Sequence, residues 1–214
     1  MERRKLVIGL SSTCLSGLAG CMTSITAPTD SREESETRTL TDGGRENESV
    51  RPTGSPESVP QEWRCTDDEF TRYPTNYETV EWGDTDEISL RVSDTYFDYG
   101  DTARITLVNV SDEYVSTGDE SDWGLEVHTD DGWEEVRGKT DGDTFDDTDL
   151  GADLPPDEGF EWEIELTEEG IVEPTPELTV CPDLESGRYR FVYWGIEPAV
   201  AVAFDLVHEG STEA

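Results

Sequence analysis

The stretch LESGRYRFVYWGIEPAVAVAFDLV, residues 184–207, decides the fold. Leu184-Glu185-Ser186-Gly187-Arg188-Tyr189 leads into Phe191 and Tyr193, and after Pro198 a second run alternates. Val200, Val202, Phe204 and Leu206 face one way while Ala199, Ala201 and Ala203 face the other. Side chains that change face at every residue are the signature of extended backbone. The same period runs upstream. Ile88, Leu90 and Val92 alternate with Ser89 and Arg91, Ala103, Ile105 and Leu107 with Arg104 and Thr106, and Trp123, Leu125 and Val127 with Gly124 and Glu126. Asp130-Asp131-Gly132 offers a tight turn into Trp133-Glu134-Glu135-Val136-Arg137, the best hairpin signal in the chain. Beyond Pro155-Pro156, Phe160, Trp162, Ile164 and Leu166 alternate with Glu161, Glu163 and Glu165, giving one dry face and one wet face that no helix would reproduce. No stretch past the first 20 residues has helical spacing. The expectation is an all-β antiparallel sandwich of about seven strands over residues 63–210.

The approach to Tyr189 carries the most specific pattern, because it resembles the tyrosine corner of immunoglobulin-like sandwiches, in which the Tyr hydroxyl bonds backward to the backbone of its own corner. Around it stand Tyr96 and Gly100 ahead of a strand, Leu107-Val108-Asn109-Val110-Ser111, Trp123-Gly124-Leu125-Glu126-Val127, Gly132-Trp133, Leu154-Pro155-Pro156-Asp157-Glu158 and Ser186-Gly187-Arg188-Tyr189-Arg190-Phe191. Together they resemble the immunoglobulin-like domains of haloarchaeal and other prokaryotic surface lipoproteins. The layout is also similar to the intracellular proteinase inhibitor family of bacilli. What the resemblance implies is a fold and a location, and it brings no catalytic residues with it.

Charge narrows the function further. Against 52 Asp and Glu the 214 residues set only 15 Lys and Arg, a net charge of -37. Such a chain repels phosphate backbones and anionic headgroups, so no nucleic-acid partner is expected. Only two lysines occur, Lys5 and Lys139. A composition of this kind suits molar salt, where a screening length of about 3 Å suppresses self-repulsion. Clusters of Asp and Glu therefore carry little information about sites.

The N-terminus reads as an address. Arg3-Arg4-Lys5 precedes a mildly apolar run too short to span a bilayer, the pattern of an export leader over residues 1–20. Arg3-Arg4 resembles a twin-arginine signal, and Leu18-Ala19-Gly20-Cys21 resembles a lipobox whose Cys21 thiol takes a lipid. The expected location is the outer face of the cytoplasmic membrane, with the lipid on Cys21 as anchor. Residues 21–62 are rich in Thr, Ser, Glu and Pro, with Ile25, Leu40, Val50 and Val59 isolated among them, and are expected to form a disordered tether. Asn47-Glu48-Ser49 and Asn109-Val110-Ser111 match the N-glycosylation pattern. Cys14 leaves with the leader and Cys21 takes the lipid. That leaves Cys65 and Cys181, read as a disulfide by parity in an oxidising compartment, with two free buried thiols as the alternative.

Recognisable chemistry is sparse. A copper or zinc site needs convergent His and Cys ligands, yet Cys181 has no nearby His, and His128 and His208 read as solvated or strand-face residues. There is no Gly-x-Ser-x-Gly, no Cys with a His partner and no phosphate loop, so neither a catalytic residue nor a cofactor is assigned. The run from Asp141 to Asp149 is dense in hard oxygen ligands without EF-hand spacing and reads as a hydrated loop before it reads as a calcium site. Trp63, Phe70, Tyr73, Tyr77 and Trp82 crowd one segment. They read as cover for one end of the sandwich, with a sugar-binding platform as the alternative. The functional expectation is an interaction or structural module at the cell surface whose partner is an envelope protein or glycan. An extracytoplasmic protease inhibitor is the alternative.

Overall fold

Two sheets meet across the aromatic residues that the alternating strands turn inward. The computed structural model describes residues 50–59, 65–140, 145 and 151–208. Arg3, Arg4, Cys21, the sequon at Asn47, Trp63 and the loop 141–149 apart from Phe145 lie outside them. Fourteen strands occur among the described residues: β1 (Thr71–Arg72), β2 (Val80–Trp82), β3 (Ile88–Val92), β4 (Tyr96–Asp98), β5 (Thr102–Asn109), β6 (Val115–Thr117), β7 (Trp123–Thr129), β8 (Gly132–Glu135), β9 (Arg137–Lys139), β10 (Ala152–Leu154), β11 (Gly159–Glu165), β12 (Thr179–Val180), β13 (Gly187–Tyr193) and β14 (Ala199–Val207).

Seven of these make the sandwich. One layer is β11-β5-β3 and the other is β14-β13-β7-β8, each joined by antiparallel pairing. Trp162 of the first layer stands 4.9 Å from the Phe191 ring of the second, and Tyr189, Phe191, Val202 and Phe204 belong to the same buried cluster as Leu90, Ile105 and Leu107. Removing one such aromatic side chain costs about 3–5 kcal/mol, so each inward aromatic residue of β13 and β14 carries a large share of a typical domain's stability. Asp130-Asp131 closes the hairpin between β7 and β8 as the spacing predicts, with Gly132 at φ +119°, a conformation that disfavours side chains. The Tyr189 hydroxyl donates to the Glu185 carbonyl at 2.8 Å and accepts from the Glu185 N–H at 3.2 Å, the backward bond expected of the corner.

Smaller pieces complete the molecule. Val136, between β8 and β9, donates its N–H to Leu125 of the larger sheet, while its carbonyl accepts from the N–H of Cys181. The strand thereby switches into a second sheet, β1-β9-β12. β6 pairs with β10 in a separate ribbon. Among the described residues one helix, α1 (Glu168–Val172), interrupts the strands. It is capped by Thr167, whose hydroxyl accepts from the Gly170 N–H, and it buries Ile171 completely. Five residues are too few to register as helical spacing in a sequence.

Two expectations are corrected here. Residues 50–59, assigned to the tether, pack on the larger sheet as a strap. The Val50 carbonyl accepts from Ala203, the Glu57 carbonyl accepts from Arg188, and the Val59 N–H donates to the His128 carbonyl. Val50 and Val59 are buried, since single aliphatic residues in a polar run are enough to seat a strap on a core already formed. Asn109, read as a glycosylation acceptor, is fully buried, and its Nδ2 donates to the carbonyls of Glu113 at 2.7 Å and Leu154 at 2.9 Å. Its Oδ1 accepts from both the N–H and the hydroxyl of Ser111. The sequon is a turn-building asparagine, and the folded chain does not present its nitrogen for modification.

Candidate binding site on the outer sheet face

The period that sends Tyr189, Phe191 and Tyr193 inward sends Arg188, Arg190 and Val192 outward, together with Gly124, Glu126 and His128 of β7 and the alanines of β14. That outer face is covered. Tyr73, Tyr77, Val80 and Trp82 pack on Val192, Trp194, Ala199 and Ala201 in a second apolar cluster. The alanines leave room for this layer, and the disulfide holds its start: Cys65 precedes β1, Cys181 follows β12, and their Cα atoms are 5.1 Å apart. The aromatic segment therefore covers a face of the sandwich, where the sequence reading had it cover one end. The physical reason is the row of small side chains on β14, against which rings lie flat.

Beneath the cover lie charges that the sequence alone would have placed at the surface. Arg190 donates Nε to Glu126 Oε2 at 2.7 Å and Nη2 to the Tyr77 hydroxyl at 2.9 Å, while that hydroxyl donates to Glu126 Oε1. Burial and then the adjoining Glu126 carboxylate push the Tyr77 phenol well above its ordinary range. Next to it, Glu135 is the cross-strand partner of Glu126 and accepts from Arg137 Nε at 2.9 Å. Burial pushes the Glu135 carboxyl up, and the Arg137 guanidinium opposes this. Arg137 also stacks 4.1 Å over the Trp123 ring and donates to the Trp123 carbonyl. Two carboxylates side by side in a dry layer persist only because each has its own arginine. Gly124 is what admits them, because a Cβ there would sit 2.3 Å from Glu135 Oε2.

Where the strap crosses this face it leaves a cleft of about 590 Å³. Residues 51–54 and Pro56 of the strap line it on one side, and Trp82, Trp133, His128, Arg188 and Ala203 line the rest. The two indoles are 6.2 Å apart and inclined at 56°. Arg188 grips Asp205 with Nε and Nη2 at 2.7 and 2.9 Å and donates Nη1 to the Gly54 carbonyl, which fastens the strap. Arg51 lies 5.3 Å from the centroid of Trp82, and no carboxylate among the described residues pairs with it. His128 meets the Trp133 ring edge-on at 5.1 Å, and its buried Nδ1 has no hydrogen-bond partner among the described residues. Burial, reinforced by Arg188, holds its imidazole below the usual histidine range, so it is neutral at neutral pH.

Of the residues singled out in the sequence, Trp82 and His128 reach this cleft, while Tyr73 and Tyr77 belong to the covering layer and Phe70 lies against Gly138 of β9. His208 is elsewhere. It stacks on Tyr99 at 4.0 Å and its Nδ1 lies 2.9 Å from the Leu184 carbonyl. Tyr99 is itself held by Glu168, whose hydrogen bond and then burial push the Tyr99 phenol up to about 12. Among the described residues no three His, Cys, Asp or Glu side chains converge as a metal-holding group. The sequence reading passed over Arg51, Trp133 and Arg188 as site residues. One signal was available: two arginines at 188 and 190, on a single face of a strand, in a chain where acidic residues outnumber basic ones 52 to 15. No protein-family model matches the chain, and no curated protein is similar enough to it to stand as a relative.

Proposed function

We propose that the chain is an exported cell-surface protein, anchored by a lipid on Cys21, whose immunoglobulin-like sandwich is a binding module for an envelope component. The observation that carries the reading is the cleft under the strap: a fold held by a disulfide presents a pre-formed, aromatic-walled opening on an otherwise carboxylate-rich protein. Support for the address is the leader pattern together with the disulfide, a bond that persists outside the reducing cytosol. The high acidity supports life in molar salt. Membrane fractionation in molar salt tests the anchor: a Cys21→Ser variant should move to the soluble fraction, and a variant that stays bound would refute it. Recovery of partners from envelope extract by the full chain tests the module.

A second reading, an extracytoplasmic protease inhibitor, draws on the loop that joins β5 to β6. Tyr114 and Val110 are 72% and 53% exposed there, and the loop base is braced by Asn109 and Ser111. A rigid loop with an apolar tip suits insertion into an active-site cleft. The extract separates the two readings, because an inhibitor recovers a protease and loses it when Tyr114 is replaced by Ser.

A further inference from the structure

We infer that the cleft under the strap binds a pyranose sugar that carries an acidic group, a carboxylate or a sulfate, as one unit of a larger glycan. This rests on the reading of the chain as a surface binding module and names what that module holds.

Four observations converge. First, Trp82 and Trp133 stand 6.2 Å apart at 56° as an angled, half-buried wall; Arg190 covers one face of Trp133 at 4.5 Å and Arg51 one face of Trp82 at 5.3 Å, and the ring surface that lines the cleft suits the apolar faces of a hexose ring. Second, Arg51 is a cation at the mouth without a carboxylate partner among the described residues. Neighbouring Arg188 and Arg190 are neutralised by Asp205 and Glu126. A guanidinium with no carboxylate partner among the described residues of a chain of net charge -37 is a specific exception, and its planar fork is shaped for a carboxylate or sulfate. Third, His128 lines the cleft as a half-buried, neutral imidazole, a ring that exchanges hydrogen bonds with hydroxyls, and sugars offer hydroxyls in every direction. Fourth, the volume of about 590 Å³ falls inside the range of small-ligand clefts, roughly 300–1,000 Å³, and the strap leaves it open to solvent for the rest of a glycan chain.

The charge of the whole protein sets a condition on this binding. In dilute buffer an anion would be repelled by the carboxylates before it reached Arg51. In molar salt the screening length of about 3 Å confines electrostatics to contact range, so only the nearest partner matters, and for a ligand in the cleft that partner is Arg51. An acidic peptide meets the same cation but lacks faces to fill the angle between the indoles.

The test uses the full chain in detergent and molar salt, titrated with digalacturonate and with the uncharged disaccharide cellobiose, and followed by tryptophan fluorescence and calorimetry. Digalacturonate should bind about fivefold more tightly than cellobiose. Arg51→Gln should erase that difference while the fold is kept, because Arg51 is exposed and lies outside the buried clusters. Trp133→Leu should weaken both sugars about tenfold. Near-UV circular dichroism establishes that each variant keeps the native packing. Equal affinity for the two disaccharides, a preference that survives Arg51→Gln, or tighter binding of an oligoglutamate peptide than of digalacturonate would each overturn the inference. If neither sugar binds while a specific envelope protein is retained and the anchor behaves as proposed, the ligand class falls and the binding-module reading stands.

Discussion

Replacing Arg137 with Met tests the buried charge layer where it is most exposed to failure. Arg137 and Glu135 are 2% and 3% exposed, so neither charge has water to fall back on. With Nε and Oε1 at 2.9 Å, the charge centres lie roughly 4 Å apart. Their attraction is then about 4 kcal/mol at an effective dielectric near 20. Breaking such a pair by removing one partner costs about 3–5 kcal/mol, a large share of the 5–15 kcal/mol that typically holds a domain together. The variant also leaves the Trp123 carbonyl without its donor. The pH dependence has a definite sign. Glu135 already has a folded-state pKa above its unfolded value, because burial outweighs Arg137. A raised carboxyl pKa contributes stability that is present below the unfolded value and lost as pH rises through the folded one. Loss of the guanidinium raises it further, so Arg137→Met should recover part of its stability as pH is lowered through the folded-state titration of Glu135. The double variant Glu135→Gln, Arg137→Met lacks the titrating group and should show neither the full loss nor that recovery. Urea unfolding in molar salt, followed by tryptophan fluorescence, measures all three proteins. A loss below about 1 kcal/mol in the single variant, or a double variant as unstable as the single, would refute the reasoning.

Asn109→Ala should cost about 2–3 kcal/mol, since it strands the Glu113 and Leu154 carbonyls, and mass spectrometry of the native protein should find no glycan on Asn109; a glycan there would overturn the structural role. Reduction of Cys65–Cys181, which lie 116 residues apart, should destabilise the fold by about 5 kcal/mol in the loop-entropy account. Hydrogen exchange should rise first in β1, β9 and β12, and an unchanged melting temperature would contradict this. Arg104 bonds Glu163 at 2.6 Å and lies 3.9 Å from Glu161, so one cation already tempers the wet face of β11. Arg104→Ser should steepen the fall of stability as salt is withdrawn, and thermal melts across a salt series would show a parallel slope if that pairing has no effect.

What was legible followed from pattern density. β13 and β14 span seven and nine residues, long enough for a period of two to be unmistakable, and Asp130-Asp131-Gly132 names its own turn. The disulfide followed from parity once two cysteines were assigned to the leader and the lipid. β1 and β12 have only two residues each, and no periodicity exists in so short a run. The strap was illegible for a different reason: Val50 and Val59 are isolated apolar residues whose value lies in a groove that exists only after the sandwich has formed. Asn109 misled because the same side chain that marks a sequon also ties turns together. The cleft joins Arg51, Trp82, His128 and Trp133 across four separate segments, and no local spacing encodes that convergence. Both carboxylates of the buried layer were hidden by abundance, since among 52 acidic residues the sequence offers no way to tell the two that the covering segment buries.

The strap also determines how the domain carries a mechanical load. Tension on the chain ahead of Val50 meets the bond from Ala203 first, then Arg188 Nη1 to Gly54, the Arg188 N–H to Glu57, and the Val59 N–H to His128. These fasteners are spaced along the pulled segment, so they part in succession, as a zipper does, each one bearing the load alone. β14 and β13 share seven paired positions and, if pulled lengthwise, would resist together. A tug from the N-terminal side therefore peels away ten residues at low force and leaves the sandwich standing. Because those residues line one side of the cleft, the first thing such a tug changes is the cleft itself, and its grip on any occupant weakens well before the fold gives way.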